Sequence, residues 1–190
     1  MVKAKKRWAK RIAAVALACA LGTGAVGALV GCSPDSKSNS DEMSVAWTSN
    51  AGEYNLDPTN NYMGWQGSYL GIYEQLFRID ANFDPQPMLA ESAEMVNDTT
   101  WKITIREGVT FQNGNELNAQ AVVDCLNRTI SMNERAKKSL DIANMEADGN
   151  VLTVTTNSLN TAFKNELSEP VASIIDVNSG AAEDEPLGTG

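Results

Sequence analysis

The chain contains no histidine. Ser-His-Asp and Cys-His nucleophilic machinery is therefore excluded within it, as are the imidazole ligands of the commonest zinc sites. Cysteine is nearly as scarce: Cys19, Cys32 and Cys125 are the whole complement, too few for a disulfide framework. Glycine clusters only at Gly22, Gly24, Gly27 and Gly31, inside an apolar run near the start, so no glycine-rich phosphate loop is left elsewhere. No internal repeat is visible. Without an imidazole, a reactive thiol context or a phosphate loop, no reaction can be assigned, and the chain does not read as an enzyme. Glu91 and Glu94 have the spacing of one helical face, but such pairs are far more often solvated acids than catalytic ones.

Positive charge is the next scarcity, and it is unevenly placed. Met1 to Arg11 holds six Lys and Arg residues and no acid. Beyond Gly31 there are 9 bases against 24 acids, a net charge of −15. Such a surface repels phosphate backbones and anionic headgroups, which excludes nucleic acid as a natural partner.

What is present at the start is an export signal. The basic head runs into Ile12–Val30, which is uncharged and rich in Ala, Leu, Val and Gly. Leu29-Val30-Gly31-Cys32 resembles the lipobox of bacterial lipoproteins. That resemblance implies cleavage before Cys32 and acylation of its thiol. The alternative is an uncleaved transmembrane anchor, since the 19 uncharged residues nearly suffice to span a bilayer. Either way the folded part faces outward. Residues 1–31 are thus a signal peptide, residues 32–42 a polar, serine-rich tether, and residues 43–190 the folded portion.

Along that portion, Met43–Thr48 is a strand candidate and Asn55-Leu56-Asp57-Pro58 a turn. Leu70, Tyr73 and Phe77 recur at helical spacing, which predicts a helix over 68–77. Asp84-Pro85-Gln86-Pro87 predicts a loop. Residues 92–96 and 101–106 predict a hairpin, with Trp101, Ile103 and Ile105 facing a core. A strand over 109–111 runs into the Asn113-Gly114 turn, and Asn118 caps a helix from Ala119 to about Ser131. Val122, Val123, Leu126 and Ile130 line one face of that helix, and the spacing of Cys125 marks it as a buried core thiol. A second hairpin runs from Ile142 through Asp148-Gly149 to Thr156. A short helix opens at Asn160 or Thr161, carries Phe163 and Leu167 inward, and ends before Pro170. Beyond Asp176 the composition predicts a structureless tail, or an open frame cut short. Mixed hairpins and helices predict an α/β fold with antiparallel pairs.

Several segments resemble, in order, the solute-binding proteins of family 5, the extracytoplasmic receptors of peptide and nickel ABC transporters. Ile72-Tyr73-Glu74-Gln75-Leu76-Phe77 is similar to a Tyr-Glu-X-Leu motif, and Pro87-Met88-Leu89-Ala90-Glu91-Ser92 to Pro-X-Leu-Ala-Glu-Ser. The longest match is the run 101–114, similar to Thr-Phe-X-Leu-Arg-X-Gly-Val-X-Phe-X-X-Gly, followed by the helix start 117–122. Gly188-Thr189-Gly190 resembles the opening of Gly-Thr-Gly-Pro-Tyr. The resemblance implies the N-terminal part of a two-lobed, periplasmic-binding-protein-like II fold of the peptide-binding type. It implies a lipid-anchored receptor outside the cell membrane, without a cofactor, that captures a peptide or similar small solute and hands it to permease subunits. A stand-alone surface lipoprotein without ligand, and the nickel or metallophore branch of the family, are the alternatives. Family members that carry metals often hold them inside organic chelators, so the missing histidine does not decide between branches.

The resemblance also makes the Asn55–Pro58 turn the approach to a binding cleft. Tyr62, Met63, Gly64, Trp65 and Gln66 follow it on an expected loop, where aromatic, thioether and amide groups can stack on and hydrogen-bond a ligand. An equal alternative is that Tyr62 and Trp65 only pack this loop. Arg106 reads as a structural arginine paired with a nearby acid.

Overall fold

The computed structural model describes residues 55–180 and 185–190, all within one compact unit, Ser49–Gly190. The expected signal, the expected lipidation site Cys32, the expected tether and the strand candidate Met43–Thr48 lie outside the described residues. Of Tyr62, Met63 and Gly64 only the backbone is described.

Among the described residues, eleven short elements follow one another. They are α1 (Asn61–Tyr69), β1 (Phe77–Ile79), β2 (Pro85–Pro87), β3 (Ala90–Asn97), β4 (Thr100–Ile105), α2 (Ala119–Met132), α3 (Glu134–Leu140), β5 (Ile142–Asp148), β6 (Val151–Thr156), α4 (Phe163–Glu166) and a 3-10 turn, Pro170–Ala172. β1 and β2 form a two-stranded ribbon, and the others a four-stranded sheet in the order β3-β4-β6-β5, antiparallel throughout. The expected mixed α/β fold with antiparallel hairpins is what the chain adopts.

Alternation decides the sheet. Trp101, Ile103 and Ile105 on β4, with Leu152 and Val154 on β6, are buried, while Lys102 is exposed. Ile103 opposes Leu152 and Trp101 opposes Val154, so one face is a continuous apolar surface. α2 packs on the sheet, burying Val122, Val123 and Leu126 with Ile130 half-buried, while Cys125 meets Ser173 and Ile175. Asn118 starts that helix: its backbone is extended (φ −140°) and its Oδ1 accepts from the Ala121 N–H at 3.0 Å. Trp101 and Phe163 meet at 6.0 Å between ring centroids, and the indole N–H reaches the Asn160 carbonyl. Asn160 also accepts from the Ala162 N–H at the start of the short helix.

Several expectations are corrected. The helix expected over 68–77 lies earlier, at 61–69, and Gly71 (φ +73°) ends it. Tyr73, Leu76 and Phe77 are buried as the periodicity suggests, but from an extended segment. Pro85–Pro87 is a strand, not a loop; its partner β1 uses only one of its edges, so the missing proline N–H groups leave no gap in a ladder. The strand over 109–111 reduces to a single bridge, Thr110 to Glu116. Glu91 and Glu94 are exposed on β3, not on a helix. α3, on which Asp141 imposes a left-handed stop (φ 48°), carried no sequence expectation.

The tail differs most from expectation. Gly188 and Gly190 pack so closely on residues 71–73 that a Cβ would fall 2.2 Å from the Ile72 oxygen and 1.8 Å from the Gly71 oxygen, respectively. Only glycine permits that approach. The Gln112 N–H donates to the Gly188 carbonyl at 2.9 Å, and the Thr189 hydroxyl donates to Glu74 at 2.9 Å.

Candidate functional site

The stretch following the Asp57-Pro58 turn forms helix α1 rather than a loop. The turn itself is fixed from inside. Asp57 accepts from the Thr59 N–H (2.9 Å) and hydroxyl (2.7 Å), and both its oxygens are held by Arg128 of α2. Burial opposes ionisation of Asp57, but the guanidinium and the Thr59 donors outweigh it and hold the carboxyl below the usual range. Asn133 donates to the Thr59 carbonyl at 2.9 Å while capping α3 with its own Oδ1. One residue therefore ties the turn before α1 to the first turn of α3.

Trp65 is half-buried on α1, and the Arg135 guanidinium lies over its ring at 5.7 Å from the centroid. Arg135 in turn lines an open depression of about 530 Å³ along α3, together with Glu134, Lys138 and Ser139. Arg135, Lys138 and Ser139 stand at i, i+3 and i+4, hence on one face, while Ala136 and Leu140 are buried on the other. Arg135 reaches Glu169 only loosely, at 3.9 Å, and both are well exposed. Two cations and a hydroxyl on a concave surface of an acidic protein can hold an anionic group of a small solute.

The predicted residues are thus divided. Tyr62, Met63 and Gly64 share α1 with Trp65, and Gln66 is half-buried beside it. Sequence reading missed Arg135, Lys138 and Ser139, whose only signal was the run Arg135-Ala136-Lys137-Lys138 in a chain poor in bases. Cys125 is buried as expected; burial pushes its thiol up to about 11, so it is unreactive. Arg106 is structural, but through the Met88 carbonyl (3.1 Å) rather than an acid.

Residues 84–190 match the family model described as Bacterial extracellular solute-binding proteins, family 5 Middle. The nickel-binding protein NikA of Staphylococcus aureus is 32% identical over 122 residues, which are 64% of this chain and 25% of that protein. The glutathione-binding protein GsiB of Escherichia coli (strain K12) is 32% identical over 109 residues, 55% of this chain and 21% of GsiB. The crystal structure of a nickel ABC transporter protein from Bacillus halodurans superposes with a TM-score of 0.69 at 39% identity, covering 72% of this chain and 29% of that one. The chain spans about a quarter of the length of the curated relatives it matches.

Proposed function

Because the chain belongs to the bacterial extracellular solute-binding proteins of family 5, which serve ABC transporters and are not enzymes, we propose that it forms the first-lobe part of a receptor for a small carboxylate-bearing solute. The observation that carries this reading is the depression along α3, with Arg135 and Lys138 on its wall and Trp65 stacked against Arg135. A guanidinium held by an aromatic face keeps its N–H fork free to turn toward a carboxylate. A chelated nickel ion is the first solute class to test, since NikA of S. aureus and the B. halodurans protein bear nickel in their names. A short peptide is the second, supported by the similarity to glutathione-binding GsiB. In both classes the solute carries carboxylates. A second lobe closes over the solute, and the loaded receptor passes it to permease subunits. Acylation of Cys32 keeps the receptor at the outer face of the membrane.

The test is calorimetric titration of the full-length protein. Ni(II)–L-histidine is compared with Ni(II)–histamine, which keeps the imidazole and amine but lacks the carboxylate. A tripeptide free acid is compared with its C-terminal amide. The expected result is saturable binding of at least one acid form and weaker binding of its carboxylate-free partner. No binding heat with any of the four would overturn the reading.

A further inference from the structure

α1 has little reason to be a helix on its own account. It carries Gly64 and Gly67, residues that weaken helices, and it makes no side-chain cap at Asn60. Its placement comes from the segment that follows it. A Cβ on Gly67 would lie 1.9 Å from the Tyr73 hydroxyl oxygen and 2.1 Å from ring carbon Cζ, so the helix backbone rests directly on that ring. The same Tyr73 hydroxyl donates to the Leu56 carbonyl, in the turn ahead of α1. One position on, Ser68 is held as well: the Gln75 amide donates to Ser68 Oγ at 2.6 Å and to Ser173 Oγ at 2.7 Å. Gln75 and Ser173 are buried, and Ser173 is fixed again through the Pro170 carbonyl.

We propose that Tyr73 and Gln75 are positioning residues for the solute site, setting the rotation and depth of α1 and thereby the seat of Trp65 against Arg135. Neither faces the depression. They act on consecutive helix positions, Gly67 and Ser68, and a helix pinned at two adjacent residues can neither roll nor slide. The Tyr-Glu-Gln-Leu run thus has a physical division of labour. Tyr73 and Gln75 hold the helix before them, while Glu74 takes the Thr189 hydroxyl and Leu76 enters the core.

This inference rests on the reading that α1 and α3 border the solute site, and the experiment separates the two. Full-length protein is labelled with 5-fluorotryptophan, and the Trp65 resonance is assigned by its loss in Trp65→Phe. Gln75→Met removes both amide hydrogen bonds at similar volume. Tyr73→Phe removes the Leu56 bond and leaves the ring under Gly67, serving as the second variant should Gln75→Met not fold. Each variant is expected to move or broaden the Trp65 resonance while Trp101, packed in the sheet core, stays in place. Each is expected to weaken Ni(II)–L-histidine binding by about tenfold, roughly the loss of one charge-assisted contact. A lower melting temperature with an unmoved Trp65 resonance and unchanged affinity would overturn the proposal, because a purely structural role predicts that outcome. If the wild type binds no solute, the receptor reading falls, and the Trp65 resonance still decides whether the clamp exists.

Discussion

Breaking the Asp57–Arg128 pair is the sharpest perturbation this fold offers. The Asp57 side chain is 4% exposed and that of Arg128 16%. Removing one partner of such a pair strands the other charge with little water, at a cost of about 3–5 kcal/mol when burial is complete. The residual exposure of Arg128 lowers the expectation for Asp57→Ala to roughly 3 kcal/mol, and that figure includes the two Thr59 bonds the same carboxylate accepts. The assay is a double-mutant cycle with Asp57→Ala and Arg128→Met, followed by urea unfolding. A coupling energy of about 1–3 kcal/mol is expected for partners in direct contact. The pair also has a pH signature. The folded carboxyl titrates below its unfolded value, so its stabilisation is complete above about pH 4 and disappears as the pH falls through the depressed folded value. In Arg128→Met that acid loss should shrink. A coupling below about 0.5 kcal/mol, or an identical acid profile in both proteins, would refute the reasoning.

Other outcomes follow from single features. Gly188→Ala should destabilise the docked tail, since its Cβ would meet the Ile72 carbonyl at 2.2 Å; hydrogen exchange at the Gly188 and Gln112 amides would report it. Asn118→Ala should cost about 1 kcal/mol through the lost cap on α2, read by chemical denaturation. Leu152→Ala, at a fully buried position facing Ile103, should cost about 2–5 kcal/mol in the same assay. The Cys125 thiol should react with a chromogenic disulfide only as fast as the protein unfolds, because it is buried and its pKa stands at about 11. Fast labelling of Cys125 in the native protein would contradict that.

The elements legible in the sequence are those whose own residues decide them. Trp101-Lys102-Ile103-Thr104-Ile105 alternates because one face is buried, and Asn118 caps because its side chain suits an N-terminus wherever it lies. Asn113-Gly114 and Asp148-Gly149 turn because Gly114 and Gly149 take positive φ. The misread parts are those decided elsewhere in the fold. α1 has no apolar periodicity and is held by Tyr73 and Gln75 from outside. The Leu70, Tyr73 and Phe77 spacing mimics one helix, but Leu70 closes α1 and only Tyr73 and Phe77 belong to the buried extended run. The tail looks structureless because its partners, the backbone at 71–73 and the side chains of Glu74 and Gln112, lie far off in the chain and leave no trace in its own composition. Of the candidate site, Trp65 was legible as an aromatic after a turn. Arg135 and Lys138 were not, since only the folded chain shows the depression along α3 that they share and sets the Trp65 ring against Arg135.

The Thr189–Glu74 bond joins positions 115 residues apart. At a synthesis rate of about 5–20 residues per second, the segment around Glu74 waits roughly 6–23 seconds for the segment that covers it. During that interval the surface meant for Gly188 and Gly190 stays open beside buried apolar side chains such as Tyr73 and Leu76. Late closure of this kind slows folding and leaves the nascent chain prone to association. Gly188 and Gly190, by admitting that close approach, thus set the earliest moment at which this surface can be covered.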